Sequence, residues 1–163
     1  MRYNGKKQGK RHSDRMKRIY LAGPMFCAAE KSYNEELTKL LENAGYSVFL
    51  PQRDGMETAL SGDMSESERA AAIFALDTEQ VRKADAVVMV LDGRSPDEGA
   101  CVELGYAFAH GKPCYGVKTD VRAAERGMDL NPMLTGCFTR IFSAEEKADA
   151  FAALSEYIDK FGL

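Results

Sequence analysis

Short apolar runs alternate with longer segments of helical periodicity along the chain. Each run is short, rich in branched or aromatic residues and bounded by turn residues, which is typical of buried strands. The predicted strands are residues 18–23, 47–51, 85–93, 112–119 and 139–142. The predicted helices are residues 28–44, residues 66–84, a helix that follows Ser95 and a closing helix that begins at Ser143. The polar segments 52–65 and 120–138 are predicted as loops.

This alternation of strands and helices predicts a parallel sheet of about five strands with helices on both faces. In such open sheets, ligands bind at the carboxyl ends of the strands. Three of these ends carry polar or glycine-containing sequences, namely YLAGPMF, LPQRDG and LDGRSPDEG. The first strand is followed by neither G-x-G-x-x-G nor a P-loop, so the pattern does not support a Rossmann cofactor or a P-loop nucleotide.

A single charge interrupts the apolar helical stretch GACVELGYAFA at residues 99–109. This charge is Glu103, and burying a carboxylate is costly unless it is paired, protonated or used in chemistry. A helix face turned to solvent is the alternative interpretation. The apolar neighbours favour a functional carboxylate, and they are Val102, Leu104, Tyr106, Phe108 and Ala109.

The start of this helix carries several capping signals. Ser95 is predicted as the N-cap, Pro96 fits the first helical position, and Glu98 completes a capping box. Asp97 lies near the helix N-terminus, which favours its ionised form, and simple capping is the alternative to a functional role. Ser143 and Glu146 predict a second capping box at the closing helix.

Composition and charge describe the setting of the site. The 163 residues, of which 45% are apolar and 29% charged, predict one soluble cytoplasmic domain without a membrane span or secretory signal. The four cysteines lack a C-x-x-C pair and predict reduced structural thiols, so we expect no metal. Residues 1–18 hold eight Lys or Arg against one acid. We predict a basic extension over residues 1–17, solvated rather than bound to nucleic acid, before a domain at 18–163.

Several of these motifs together resemble the nucleoside 2-deoxyribosyltransferase family. They are IYLAGPMF, Asp77 followed by VRKADAVVMVLDG, PDEGACVELGYAFAHGKPCYG and NPM. The resemblance implies a flavodoxin-like doubly wound sheet and exchange of the base of a 2′-deoxynucleoside, without a cofactor. It also implies that Glu103 carries the covalent deoxyribosyl intermediate, that Tyr20 orients this nucleophile, and that Asp77 manages protons on the departing and arriving base.

The resemblance further implies a substrate-binding set and an oligomer. The implied positions are Gly23, Gln52, Asp54, Asp97, Asn131 and Met133. Asp97 matches a carboxylate that holds the sugar, and Gln52 and Asp54 match a loop that contacts the base. Asn131 and Met133 match a segment that a neighbouring subunit inserts into the site. The expected partners are therefore 2′-deoxynucleosides, free nucleobases and further copies of the chain in a homodimer or larger homo-oligomer.

Two alternative functions remain at the level of sequence. A related N-glycosidase would use the same glutamate on deoxynucleosides or their 5′-monophosphates and pass the sugar to water. A non-catalytic module would bind nucleotide-derived ligands on the same sheet. The combination of Glu103, Tyr20 and Asp77 argues against the binding module.

Overall fold

The structure is a computed structural model that describes residues 15–55, 64–120, 122 and 129–163. The strands of this part of the chain are β1 (Arg18–Ala22), β2 (Ser47–Phe49), β3 (Ala86–Val90), β4 (Cys114–Lys118) and β5 (Arg140–Ser143). The helices are α1 (Ala28–Asn43), α2 (Pro51–Asp54), α3 (Glu66–Lys83), α4 (Glu98–Ala109), α5 (Pro132–Thr135) and α6 (Lys147–Phe161).

The five strands form one parallel sheet in the order β2-β1-β3-β4-β5. Tyr20 of β1 lies opposite Phe49 of β2 on one side and opposite Val87 of β3 on the other. This is the strand order of flavodoxin-like folds, in which successive strands are added on one side of β1 and then, from β3 onward, on its other side. The predicted doubly wound α/β fold is confirmed, and the switch point leaves a crevice at the carboxyl ends of β1 and β3.

Each face of the sheet carries its own apolar core. On one face α1 and α6 bury residues such as Leu37 and Leu154, and on the other α3 and α4 bury Val81 and Leu104. Full burial of one such side chain contributes about 1.5–3 kcal/mol. Connections between parallel strands are right-handed. A helix that connects to a strand on the left therefore packs on one face of the sheet, and a helix that connects to a strand on the right packs on the other face. Tyr20 belongs to the core that α3 and α4 cover.

The start of α4 differs from its prediction. Asp97, and not Ser95, is the N-cap, and its Oδ1 accepts a hydrogen bond of 2.8 Å from the backbone N–H of Ala100. Aspartate and serine are comparably good caps, so residue type alone did not determine where the helix begins. Asp97 therefore caps the helix through Oδ1, whereas its role in holding the sugar stays a prediction; the predicted capping box of Ser95 and Glu98 is wrong.

The start of α6 was also predicted too early. Ser143 is the last residue of β5, opposite Lys118 of β4, so its backbone extends the sheet instead of opening a helix. The helix begins at Lys147 with Glu146 as its N-cap, and the predicted capping box is wrong.

The remaining boundaries depart less from the sequence pattern. Pro51, predicted at the end of a strand, is the first residue of α2, and α5 forms within the predicted loop 120–138. Residues 1–14 of the predicted basic extension lie outside the described residues, whereas Arg15 pairs with Asp85 at 2.5 Å. Among the helices of the described residues, none has the length and apolar character needed to cross a membrane.

Candidate active site

Glu103 of α4 is hydrogen-bonded to the strand beneath it. The hydroxyl of Tyr20 donates to Glu103 Oε1 at 2.6 Å, a distance within the range of O–H···O hydrogen bonds. Tyr20 has no exposed surface, and its ring stacks on Phe49 with centroids 5.5 Å apart. Since the phenol ring cannot move without disturbing the core, this contact holds the carboxylate in place.

Burial and charge act on both members of this pair. Burial is the largest cause that raises the pKa of Glu103 to about 8; the Tyr20 hydrogen bond lowers this pKa, and the charges of Asp77 and Asp97 raise it. Burial and the Glu103 charge raise the pKa of Tyr20 well above its usual value. The phenol therefore stays protonated and remains a donor. The carboxylate is poorly solvated, which makes it more reactive than one in water.

A cavity of about 480 Å³ lies between α3 and α4, a volume within the usual range for small-molecule sites. Its lining residues are Ala70, Ile73, Phe74, Asp77, Thr78, Val81, Gly99, Val102, Glu103 and Tyr106. The wall is mainly apolar, and its charged groups are Asp77 and Glu103. The Thr78 hydroxyl is already used within its own helix, because it donates to the Phe74 carbonyl at 2.7 Å.

The apolar neighbours of Glu103 in sequence enclose it only in part. Val102 and Tyr106 line the same cavity as Glu103, but Val102 and Phe108 are 61% and 54% exposed, so the expectation that all five neighbours surround the carboxylate is wrong. A helix turns by about 100° per residue, which points adjacent side chains in different directions. The Tyr20 hydroxyl contacts Glu103 directly, and α3 contributes Asp77 to the cavity that Glu103 lines.

Gly23 marks the switch point of the sheet. It follows β1 directly, and a Cβ added there would lie 3.0 Å from Cβ of Val90 at the end of β3. This is closer than ordinary contact, so a side chain at position 23 would push the two strand ends apart. The position fits the expected substrate loop, although Gly23 is not part of the cavity wall.

Gln52 and Asp54 lie in α2, beside α1. Asp54 Oδ2 accepts from the backbone N–H of Leu50 at 2.9 Å, and its Oδ1 accepts from Arg53 Nε at 2.9 Å. Gln52 is hydrogen-bonded to α1 through both ends of its amide. Neither residue belongs to the wall of the Glu103 cavity, and their contact with a base stays a prediction.

Asn131 and Met133 lie at the start of α5. Asn131 is the N-cap, and its Oδ1 accepts from the backbone N–H of Met133 at 2.9 Å. Asn131 is exposed, and the Met133 side chain is 80% exposed. Both lie outside the wall of the Glu103 cavity in their own chain, so their insertion into a neighbouring subunit stays a prediction.

Two features of this region were not predicted from the sequence. The exposed Phe74 forms part of the cavity wall, and Asn34 is a buried amide in α1 that joins the loop after β1 to α2. Asn34 has a recognisable signal, because it lies on the same helical face as Leu37 and Leu41, where a polar residue is unusual.

A profile described as nucleoside 2-deoxyribosyltransferase matches residues 19–135. The chain belongs to the nucleoside 2-deoxyribosyltransferase family. The matched segment of this deoxyribosyltransferase-family protein contains both members of the Glu103–Tyr20 pair and Asp77.

Individual proteins are similar to this chain in sequence or in structure. An uncharacterized protein of Schizosaccharomyces pombe is 33% identical over 111 residues, which are 64% of this chain and 51% of that protein. The chain thus spans about half the length of this curated relative. A conserved protein from Enterococcus faecalis is similar in structure with a TM-score of 0.71 and 29% identity, over 90% of this chain and 99% of that one. A 2-desoxiribosyltransferase from Leishmania mexicana shares the fold, with a TM-score of 0.65 and 24% identity over 90% and 99% of the two chains.

Proposed function

We propose that this protein transfers a 2-deoxyribosyl group from one nucleobase to another, with Glu103 as the covalent nucleophile. The observation that carries the proposal is the 2.6 Å hydrogen bond from the buried Tyr20 hydroxyl to Glu103, which lines a cavity together with Asp77. A carboxylate held in one position and poorly solvated is suited to attack a carbon that carries a leaving group.

The first half of the reaction forms the intermediate. A Glu103 oxygen forms a bond to C1′ of the deoxynucleoside while the C1′–N bond breaks, and the electron pair of that bond goes to the departing base. Asp77 supplies the proton that the base takes up as it leaves. The Tyr20 hydroxyl keeps the attacking carboxylate oriented, and its high pKa prevents it from giving up its own proton.

The second half reverses these steps with another base. A ring nitrogen of the incoming base forms a bond to C1′, the bond from C1′ to the Glu103 oxygen breaks, and Asp77 accepts the proton that the base loses. Two displacements at C1′ retain its configuration, as in retaining glycosidases. Asp97 is proposed to bind the sugar, and Asn131 and Met133 to complete the site of a neighbouring copy in a homo-oligomer.

Product analysis tests this function directly. The protein is incubated with 2′-deoxyinosine, with and without free adenine, and the products are separated by chromatography. The proposal predicts 2′-deoxyadenosine only when adenine is present, and without adenine no more hypoxanthine than the amount released when the intermediate forms. Free deoxyribose formed at the same rate without adenine would instead identify an N-glycosidase, and no turnover would indicate a binding module. Glu98→Gln, a change to an exposed carboxylate of the same helix, is the control for Glu103→Gln.

A further inference from the structure

Lys118 is a buried lysine at the carboxyl end of β4. The residue is 7% exposed, although its side chain ends in a charged group. Its ammonium donates to the backbone carbonyl of Asp120, and no carboxylate of the described residues forms an ion pair with it. The Asp120 carboxylate pairs with Arg122 instead. Since buried charges are normally paired, the part of the chain that the structure describes leaves this cation without its counter-charge.

Lys118 lines a cavity of about 590 Å³ at the carboxyl ends of β4 and β5, which we call the β4–β5 cavity. The volume is within the usual range for small-molecule sites. No described residue lines both this cavity and the Glu103 cavity, so a ligand bound here leaves the proposed catalytic position open. The wall of the β4–β5 cavity combines polar with apolar side chains, among them Lys118, Asp129, Leu130, Pro132, Ile141 and Ser143.

The pairing of β4 with β5 places a second donor beside Lys118. Ser143 lies opposite Lys118 in the register of the two strands, and both side chains line the cavity. An ammonium has three N–H groups, of which the Asp120 carbonyl accepts from one, and the Ser143 hydroxyl adds an O–H. An oxyanion in this cavity would therefore meet a positive charge with two N–H groups and a neighbouring hydroxyl.

The rest of the wall indicates what this oxyanion is attached to. Leu130, Pro132 and Ile141 offer an apolar surface, which a bare inorganic ion would leave without contacts. Asp129 repels a small free anion, but its carboxylate can accept from an N–H or O–H of a larger ligand. The wall thus fits an anionic group on an apolar body that also carries a donor.

We propose that the β4–β5 cavity is a second ligand site, which binds a small organic anion through its phosphate or carboxylate group. The oxyanion pairs with the Lys118 ammonium and accepts from Ser143, and the apolar body lies against Leu130 and Ile141. Adenosine 5′-monophosphate (AMP) is a probe of this class, because it joins a phosphate to a flat ring with an amino donor. The inference does not depend on the proposed base exchange, since it uses no residue of the Glu103 cavity.

Methyl NMR of the full chain shows where such an anion binds. The methyl groups of Leu130 and Ile141 report on the β4–β5 cavity, and those of Ile73 and Val102 report on the Glu103 cavity. AMP, benzoate and inorganic phosphate are titrated separately. We expect AMP or benzoate to shift the Leu130 and Ile141 signals with a Kd below about 1 mM, and inorganic phosphate to bind at least about tenfold more weakly. A response to AMP alone identifies a phosphate ester as the ligand, and a response to benzoate alone identifies a carboxylate.

Matched variants separate ligand binding from a purely structural role of Lys118. Lys118→Gln keeps a donor for the Asp120 carbonyl but removes the charge, so the Kd should rise at least about tenfold. Lys112→Gln is the control, because Lys112 also donates to a backbone carbonyl, that of Ala84 at 2.5 Å, but lines a different cavity; its Kd should equal that of the wild type. If Lys118→Gln fails to fold, Ser143→Ala, at an exposed residue, should still raise the Kd about threefold.

Three results would overturn the inference. If neither AMP nor benzoate shifts the Leu130 and Ile141 signals, or if only Ile73 and Val102 respond, the β4–β5 cavity is not a site for organic anions. A wild-type Kd in Lys118→Gln would show that the ammonium serves the Asp120 carbonyl alone. Inorganic phosphate that binds as tightly as AMP and benzoate would show that the apolar wall plays no part. Each of these results leaves the proposed base exchange standing, because product analysis measures that function separately.

Discussion

Replacing Glu103 by glutamine should stabilise the protein increasingly as the pH rises. Burial raises the pKa of Glu103 from 4.5 to about 8, so the folded chain holds this proton more tightly than the unfolded chain does. A group of this kind contributes its full stability below about pH 4.5 and loses it as the pH rises through about 8. Glutamine has the same shape, can still accept from Tyr20 and carries no charge.

The size of the effect follows from the same shift. The difference between 4.5 and about 8 corresponds to about 5 kcal/mol at ~1.4 kcal/mol for each pH unit, of which about 4 kcal/mol falls between pH 5 and pH 9. Because the side chain is partly exposed, solvent screening reduces this value, and we expect about 2 kcal/mol. For a domain of this size the gain corresponds to about 4–8 °C in Tm.

Urea or thermal unfolding of the wild type and Glu103→Gln at pH 5, 7 and 9 measures this difference. We expect the advantage of Glu103→Gln to grow steadily over this range, while exchange activity is lost. Glu98→Gln alters an exposed carboxylate of the same helix and should show no such growth. A difference between wild type and Glu103→Gln that stays constant from pH 5 to pH 9 would refute the reasoning, because it would mean that Glu103 is not held protonated by the fold.

Three further predictions concern catalysis. The kcat/KM for exchange should rise with pH through about 8 as Glu103 ionises, and Tyr20→Phe, which removes a hydrogen bond that lowers this pKa, should move the rise to higher pH; a flat profile would contradict this. Deoxynucleoside 5′-monophosphates should react at least about 100-fold more slowly than deoxynucleosides, or roughly 3 kcal/mol, because the Asp97 carboxylate repels a 5′-phosphate, whereas Asp97 and the Asn131 amide suit a neutral 5′-hydroxyl. Replacing Asp97 and Asn131 by serine should reduce this difference in rate, and equal turnover of the two substrates by the wild type would refute the assignment. Ribonucleosides should be poor substrates because a 2′-hydroxyl would hydrogen-bond to the Glu103 carboxylate, and equal rates with inosine and 2′-deoxyinosine would exclude this explanation.

The strands were predictable because burial on both sides of a parallel sheet leaves a strong local signal. All five residues of β3 are buried, and a strand buried on both faces needs consecutive apolar residues, which are visible in the sequence. Helix starts were harder to predict, since Ser95 and Asp97 are both good caps and the choice depends on where the chain leaves the sheet. Ser143 was assigned to a helix because its pairing with β4 depends on a strand about 25 residues earlier.

The site was predictable in part for the same reason. An acid in an apolar helix pointed to Glu103, but its neighbours along the chain, such as Val102, do not cover it. Its contacts with Tyr20 and its shared cavity with Asp77 come from elements 83 and 26 residues away in sequence. The hydrogen bond from Asn34 to Gln52 likewise joins separate elements. Its one signal in the sequence is that Asn34 is a polar residue on the apolar face of α1.

Trapping the intermediate tests the central claim most directly. The protein is mixed with excess 2′-deoxyinosine without an acceptor base, quenched in acid and digested, and the peptides are analysed by mass spectrometry. The account predicts that the peptide containing Glu103 gains the mass of one deoxyribosyl group, that adenine added before the quench removes it, and that Glu103→Gln never forms it. An adduct on another residue, or base exchange that proceeds in Glu103→Gln, would contradict the account.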